Sequence, residues 1–115
     1  MKKYRVIFHL DEEDSFRVNL VLKNIQNLLM DIRKENIEIE LLANAAGVKI
    51  FLINSNYLKS INELFQQGVK FAACSNAVKG LNIDCEKMTD NVKIVSSGMG
   101  ELVKKQSEGW LYIKP

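Results

Sequence analysis

Five short apolar segments, separated by stretches long enough to carry the chain back across a sheet, constrain this sequence more than any other feature. They are Tyr4–Leu10, Ile37–Ala43, residues 69–74, Val92–Val95 and residues 110–113. Antiparallel neighbours can be joined by a tight turn, whereas parallel strands need a crossover of a dozen or more residues, usually a helix. All four intervals here are long enough for the second arrangement. The reading is a mainly parallel five-stranded sheet with helices on both faces, a three-layer α/β/α sandwich.

The intervals carry helical patterns. From residue 15 to about residue 35, Val18, Val21, Leu22, Ile25, Leu28, Leu29 and Ile32 recur at three- and four-residue spacing and so share one helical face. Asp14 suits the N-cap, and Glu12 and Glu13 suit the positive end of the helix. Residues 44–47 read as a turn and 48–53 as a short helix. Asn54, Ser55 and Asn56 supply caps for a helix carrying Tyr57, Leu58, Ile61, Leu64 and Phe65, which Gly68 ends. One or two helical turns are expected over residues 75–81. A last helix opens at Ser97, runs to about Glu108 and stops at Gly109.

The bulk properties fit one domain spanning residues 1–115. Hydrophobic residues make up 47% and charged residues 26%, with one proline and six glycines, the balance of a globular chain. Sixteen basic against fourteen acidic side chains leave a net charge of +2, too small to mark a nucleic-acid or membrane partner. The first ten residues contain Arg5 and His9 and run into an acidic stretch, so they read neither as a signal peptide nor as a membrane span. With only two cysteines, the expectation is a cytoplasmic protein with free thiols and no resident cofactor.

In parallel sheets, ligands and reactive groups gather at the carboxyl ends of the strands. Here those ends carry His9, Ala43 to Gly47, Cys74 with Ser75 and Asn76, and residues 96–100. Cys74 ends one strand where a helix can begin. A thiol so placed can meet free backbone N–H groups and the positive end of a helix dipole, which favour thiolate over thiol. It can equally be a buried cysteine acting as a small hydrophobe. Cys85, eleven positions on, reads as a loop residue or as a thiol that resolves a sulfur intermediate. Two cysteines and His9 fall short of a structural metal set. His9 is either a titrating neighbour of Cys74 or a histidine bonded into the sheet edge.

The run Ser96-Ser97-Gly98-Met99-Gly100 resembles a small anion cradle, with Ser97, Gly98 and Gly100 as its contributors. It lacks the third glycine of a dinucleotide fingerprint and the Gly-Lys-Ser/Thr of a P-loop, and strand-to-helix turns use serine and glycine for conformational reasons alone. No serine–histidine–acid set is identifiable.

Several spaced blocks together resemble the DsrE/DsrF-like family. They are Val6-Ile7-Phe8-His9-Leu10-Asp11, Asn24-Ile25-Gln26-Asn27-Leu28-Leu29, Ala73-Cys74-Ser75-Asn76-Ala77, and Val95-Ser96-Ser97-Gly98-Met99-Gly100-Glu101-Leu102-Val103 with Gln106, Glu108-Gly109-Trp110 and Tyr112-Ile113-Lys114-Pro115. The resemblance implies an α/β/α subunit of a homo-oligomer, commonly trimeric or hexameric. In the sulfur-relay members it also implies a cysteine that carries sulfur as a persulfide between donor and acceptor proteins. Cys74 falls on that cysteine position. Where many relatives have His-Gly after the second strand, this chain has Asn44-Ala45, so any role of that histidine is absent. Many members have no established activity. A binding module for a small anion or nucleotide, and a non-catalytic oligomeric subunit, therefore stand beside the sulfur carrier as alternatives.

Overall fold

A computed structural model describes residues 2–115. The five expected strands form one parallel sheet: β1 (Tyr4–Leu10), β2 (Ile37–Ala43), β3 (Lys70–Cys74), β4 (Val92–Val95) and β5 (Leu111–Ile113), in the order β4-β3-β2-β1-β5. The first four strands are laid down side by side. Their crossovers α1 (Ser15–Asp31), α2 (Leu58–Gln66) and α3 (Ser75–Gly80) all fall on one face. The chain then reverses direction, because β5 docks on the far side of β1. Crossovers of one hand must change face when the direction reverses, so α4 (Gly98–Ser107) covers the opposite face alone.

This asymmetry divides the core. Alternate strand residues Val6, Phe8, Leu10, Ile37, Ile39, Leu41, Phe71 and Ala73 pack with Val18, Val21, Leu22 and Ile25 of α1 and with Ile61 and Leu64 of α2. Each large side chain buried there contributes about 1.5–3 kcal/mol. Under α4 the cluster is smaller: Ile7, Leu42, Ala72, Val95, Leu102 and Trp110. The rest of that face is polar, because Arg5, Glu38, Glu40, Lys70 and Lys93 stand on it by strand alternation.

Asp14 caps α1 as expected, accepting from the Arg17 N–H at 3.2 Å. The helix ends at Asp31, about four residues short of the expected limit. Ile32 turns extended, Asn36 N–H donates to the Arg33 carbonyl, and the Asn36 carbonyl accepts from Tyr4, which commits the chain to β2. Leu28, Leu29 and Ile32 still pack at the margin of the core.

The segment expected as a turn followed by a helix over 48–53 is a single 3₁₀ run over Ala45–Phe51, after which Leu52 pairs with Met88 in an isolated antiparallel bridge. Close approach sets this local path, since a Cβ on Gly47 would lie 2.5 Å from the Leu10 carbonyl oxygen. Ser55, expected as a cap, accepts from the Tyr57 N–H at 3.1 Å, while Tyr57 itself holds the N-cap position of α2. Gly68 and Gly109 follow α2 and α4 as expected.

Candidate functional site

The carboxyl ends of all five strands converge on one group of side chains. The sheet reverses its strand order between β1 and β5, and an open parallel sheet forms its crevice at such a point. His9 of β1 and Tyr112 of β5 stand there, with His9 Nδ1 2.7 Å from the Tyr112 hydroxyl. His9 Nε2 lies 2.9 Å from Asn44 Oδ1, at the end of β2. A neutral imidazole satisfies both contacts when Nε2–H donates to the Asn44 oxygen and the tyrosine hydroxyl donates to Nδ1. His9 is 7% exposed, so these bonds replace the water it has lost. With its oxygen engaged, Asn44 holds its amide nitrogen away from His9.

Cys74 ends β3 and serves as the N-cap of α3 in extended conformation. The strand-end placement expected for it therefore holds, but the thiol is only 7% exposed. What covers it is the start of α4. A Cβ built on Gly98 would sit 3.1 Å from Cys74 Cβ, 3.2 Å from Asn44 Cβ and 3.5 Å from Cys74 Sγ. Gly98 thus seats the α4 backbone on Cys74 and Asn44 together, and makes them neighbours across β2 and β3. Ala45, beside Asn44, has φ +48°, a left-handed conformation that costs a residue with a Cβ and that glycine adopts freely. That is the position where the resemblance leads one to expect glycine.

The remaining expected contributors divide. Ser97 is the N-cap of α4, its hydroxyl accepting from the Gly100 N–H at 3.1 Å while its carbonyl accepts from Glu101 N–H. Ser97 and Gly100 therefore spend hydrogen-bonding groups on the helix start that an anion cradle would need. Ser75 is half-buried and Asn76 exposed in the first turn of α3. Cys85 is exposed in a 3₁₀ turn, and both cysteines are free thiols. Among the described residues no cluster of three or more His, Cys, Asp or Glu side chains is placed to hold a metal ion. Among the described residues no helix is long and apolar enough to cross a membrane.

Three participants escaped the sequence reading. Asn44 and Tyr112 become partners of His9 only through contacts spanning 35 and 103 residues. Glu40 is the third. It is 4% exposed on the α4 face of β2, with Oε1 3.6 Å from Lys105 Nζ, and Lys105 lies 4.6 Å from the Trp110 ring centre. Burial, reinforced by the neighbouring Glu101 carboxyl and only partly offset by Lys105, pushes the Glu40 pKa up to about 8. Its buried Oε2 has no hydrogen-bond partner among the described residues. The sequence carries one signal for Glu40: Glu38 and Glu40 alternate with the apolar residues Ile37, Ile39 and Leu41.

Comparison with known proteins agrees with this geometry. A protein of unknown function, MTH1491 from Methanobacterium thermoautotrophicum, is 42% identical over 97% of this chain and 99% of its own, with a TM-score of 0.93. The ychN protein from E. coli (17% identity, TM-score 0.80, all of both chains) and a conserved protein of unknown function, BT1422 from Bacteroides thetaiotaomicron (15%, TM-score 0.78, 96% of this chain and 94% of its own), share the fold. No curated protein matches. The DsrE/DsrF-like family profile matches residues 5–115, essentially the whole chain. With the strand-end cysteine and the sheet reversal in place, the chain belongs to the DsrE/DsrF-like family.

Proposed function

We propose that the protein is a sulfur carrier in which Cys74 holds a transferable sulfur as a persulfide. The observation that carries this reading is the position of Cys74 at a strand's carboxyl end, against Gly98 and Asn44, within a fold that belongs to the DsrE/DsrF-like family. In the exchange, the Cys74 thiolate attacks the outer sulfur of a donor persulfide and the donor leaves as its thiolate. An acceptor thiolate then takes that outer sulfur and returns Cys74 to the thiolate. Each step makes one S–S bond and breaks one, the leaving group departing as a thiolate, with no net redox change. His9, Tyr112 and Asn44 fix the wall beside the thiol, while Ser75, Asn76 and Ser97 shape the strand-end loops around it.

The donor and acceptor are proteins, and the carrier is a homo-oligomer of three or six subunits in the cytoplasm. Exposed Met99 and Val103 on α4 and Leu111 and Ile113 on β5 support assembly, since a lone subunit leaves these apolar side chains in water. Light scattering on the purified protein is expected to give a mass of three or six chains; a monomer at micromolar concentration removes this part of the reading.

Incubation with a persulfide donor, followed by peptide mass spectrometry, tests the chemistry. The expected result is a single reducible sulfur adduct on Cys74, lost completely in Cys74→Ser and retained in Cys85→Ser. The burial of Cys74 gives the contrary outcome its meaning. A thiol that takes no sulfur in the native fold, and reacts only after denaturation, makes the protein a binding or structural subunit.

A further inference from the structure

We infer that Asn44 is the hydrogen-bond donor that receives the outer sulfur carried on Cys74, and that His9 and Tyr112 are positioning residues which fix its amide in the donating orientation. The inference deepens the proposed function and rests on it for the presence of that sulfur. The ordering of the three polar side chains stands on geometry alone.

Strand register brings Asn44 and Cys74 together. Ala43 and Ala73 are partners in the ladder between β2 and β3, so the residues that follow them, Asn44 and Cys74, stand side by side at its carboxyl end. Asn44 Cβ and Cys74 Sγ lie 3.2 Å and 3.5 Å from the point that a Cβ on Gly98 would occupy, which puts both on the face that α4 covers. The α4 backbone is seated over the thiol. A second sulfur, bonded about 2 Å beyond Sγ, therefore extends along the strand ends, where Asn44 is the neighbouring side chain on β2.

The orientation of the Asn44 amide decides what it offers. Its oxygen is 2.9 Å from His9 Nε2, while its nitrogen, which carries two N–H groups, has no hydrogen-bond partner among the described residues. β1, with His9, lies on one side of β2, and β3, with Cys74, lies on the other. An amide that turns its oxygen to β1 turns its nitrogen toward β3. The reverse orientation would donate to Nε2 and present the oxygen to the sulfur, whose negative charge an acceptor repels. Tyr112 selects between the two. Its hydroxyl is 2.7 Å from Nδ1, and by donating there it confines the proton of a neutral imidazole to Nε2, which obliges the Asn44 oxygen to accept. His9 is 7% exposed, so water competes little for the imidazole and the two bonds act as a chain. The role is one of binding. An anionic persulfide holds its charge on the outer sulfur, and the amide N–H stabilises that charge without gaining or losing a proton.

The test has two readouts on the native, assembled protein near neutral pH. The chain holds one histidine, so a long-range ¹H–¹⁵N spectrum reports the His9 ring alone. It is expected to show the proton on Nε2 and a bare Nδ1; a proton on Nδ1 alone overturns the inference. The second readout is the ratio of sulfur-loaded to free Cys74 at equilibrium with glutathione persulfide and glutathione, where the rate of reaching a covered thiol drops out. Asn44→Ala is expected to lower this ratio about tenfold, the size of a hydrogen bond to a charged partner. Tyr112→Phe is expected to lower it less, by about threefold, and to bring an Nδ1-protonated form into the His9 spectrum. A side chain that only packs beside the thiol would not transmit the loss of a hydroxyl on the far side of the imidazole. Tyr112→Phe also supplies the measurement if Asn44→Ala does not fold. Ratios within about twofold of wild type in both variants overturn the role of Asn44 and leave the carrier intact. A wild-type Cys74 that takes no sulfur overturns the carrier, and this role with it.

Discussion

Replacing Glu40 by glutamine is expected to make the protein more stable in alkali than the parent while leaving its stability in acid nearly unchanged. The ordinary pKa of glutamate is about 4.5, and the fold raises that of Glu40 to about 8. Between these limits the folded chain retains a proton that the unfolded chain releases, so stability falls as pH rises. Below pH 4.5 both states hold the proton and there is no penalty; by about pH 8 the penalty is nearly complete. The shift corresponds to a loss on the order of 5 kcal/mol, a large share of the roughly 5–15 kcal/mol by which a domain is stable. Urea unfolding of both proteins at pH 5 and pH 8.5 checks this. The difference in unfolding free energy is expected to widen by several kcal/mol between the two conditions; parallel behaviour would show that Glu40 ionises without cost in the fold.

Phe51→Ala is expected to cost about 3–5 kcal/mol, the range for deleting a buried aromatic ring. Phe51 is fully buried and meets Phe71 edge to face, with ring centres 5.9 Å apart. The loss reaches beyond the ring. Phe51 ends the 3₁₀ run, and its carbonyl accepts from the Thr89 N–H at 2.8 Å, tying the approach to β4 back to the core. Phe16→Ala serves as the comparison, because that ring is 71% exposed and its removal is expected to change stability by no more than about 0.5 kcal/mol. Chemical denaturation of the two variants separates the cases. Equal effects would mean that the core closes around the missing Phe51 ring.

These two residues also show where sequence reading succeeds and fails. Periodicity locates an element when one face is buried and the other wet, and it placed every strand and the faces of α1 and α2. At residues 48–53 the apolar run is too short to show a period, so the pattern cannot distinguish one helical form from another; Gly47 against Leu10 decided the outcome. The same distinction applies at the site. Cys74 was legible because its position depends on neighbouring residues: a strand ends and a helix starts. Its cover was not, because Gly98 reaches it from 24 residues away. Glu40 alternates with apolar neighbours, a pattern that by itself fits a solvent-facing residue, but α4, more than fifty residues away in the chain, buries it.

The reversal between β1 and β5 has a consequence for how the molecule is assembled. Strands β1 to β4 add in the order in which a ribosome delivers them, each new strand pairing with its predecessor. The last strand instead pairs with the first, closing a loop of about a hundred residues, and such distant closure is entropically the slowest kind of pairing. His9 waits for Tyr112, and Cys74 waits for Gly98, until that final passage over the sheet. A nascent chain would thus hold most of its hydrophobic core before it held a functional site, and its thiol would be least protected in the interval before α4 is made.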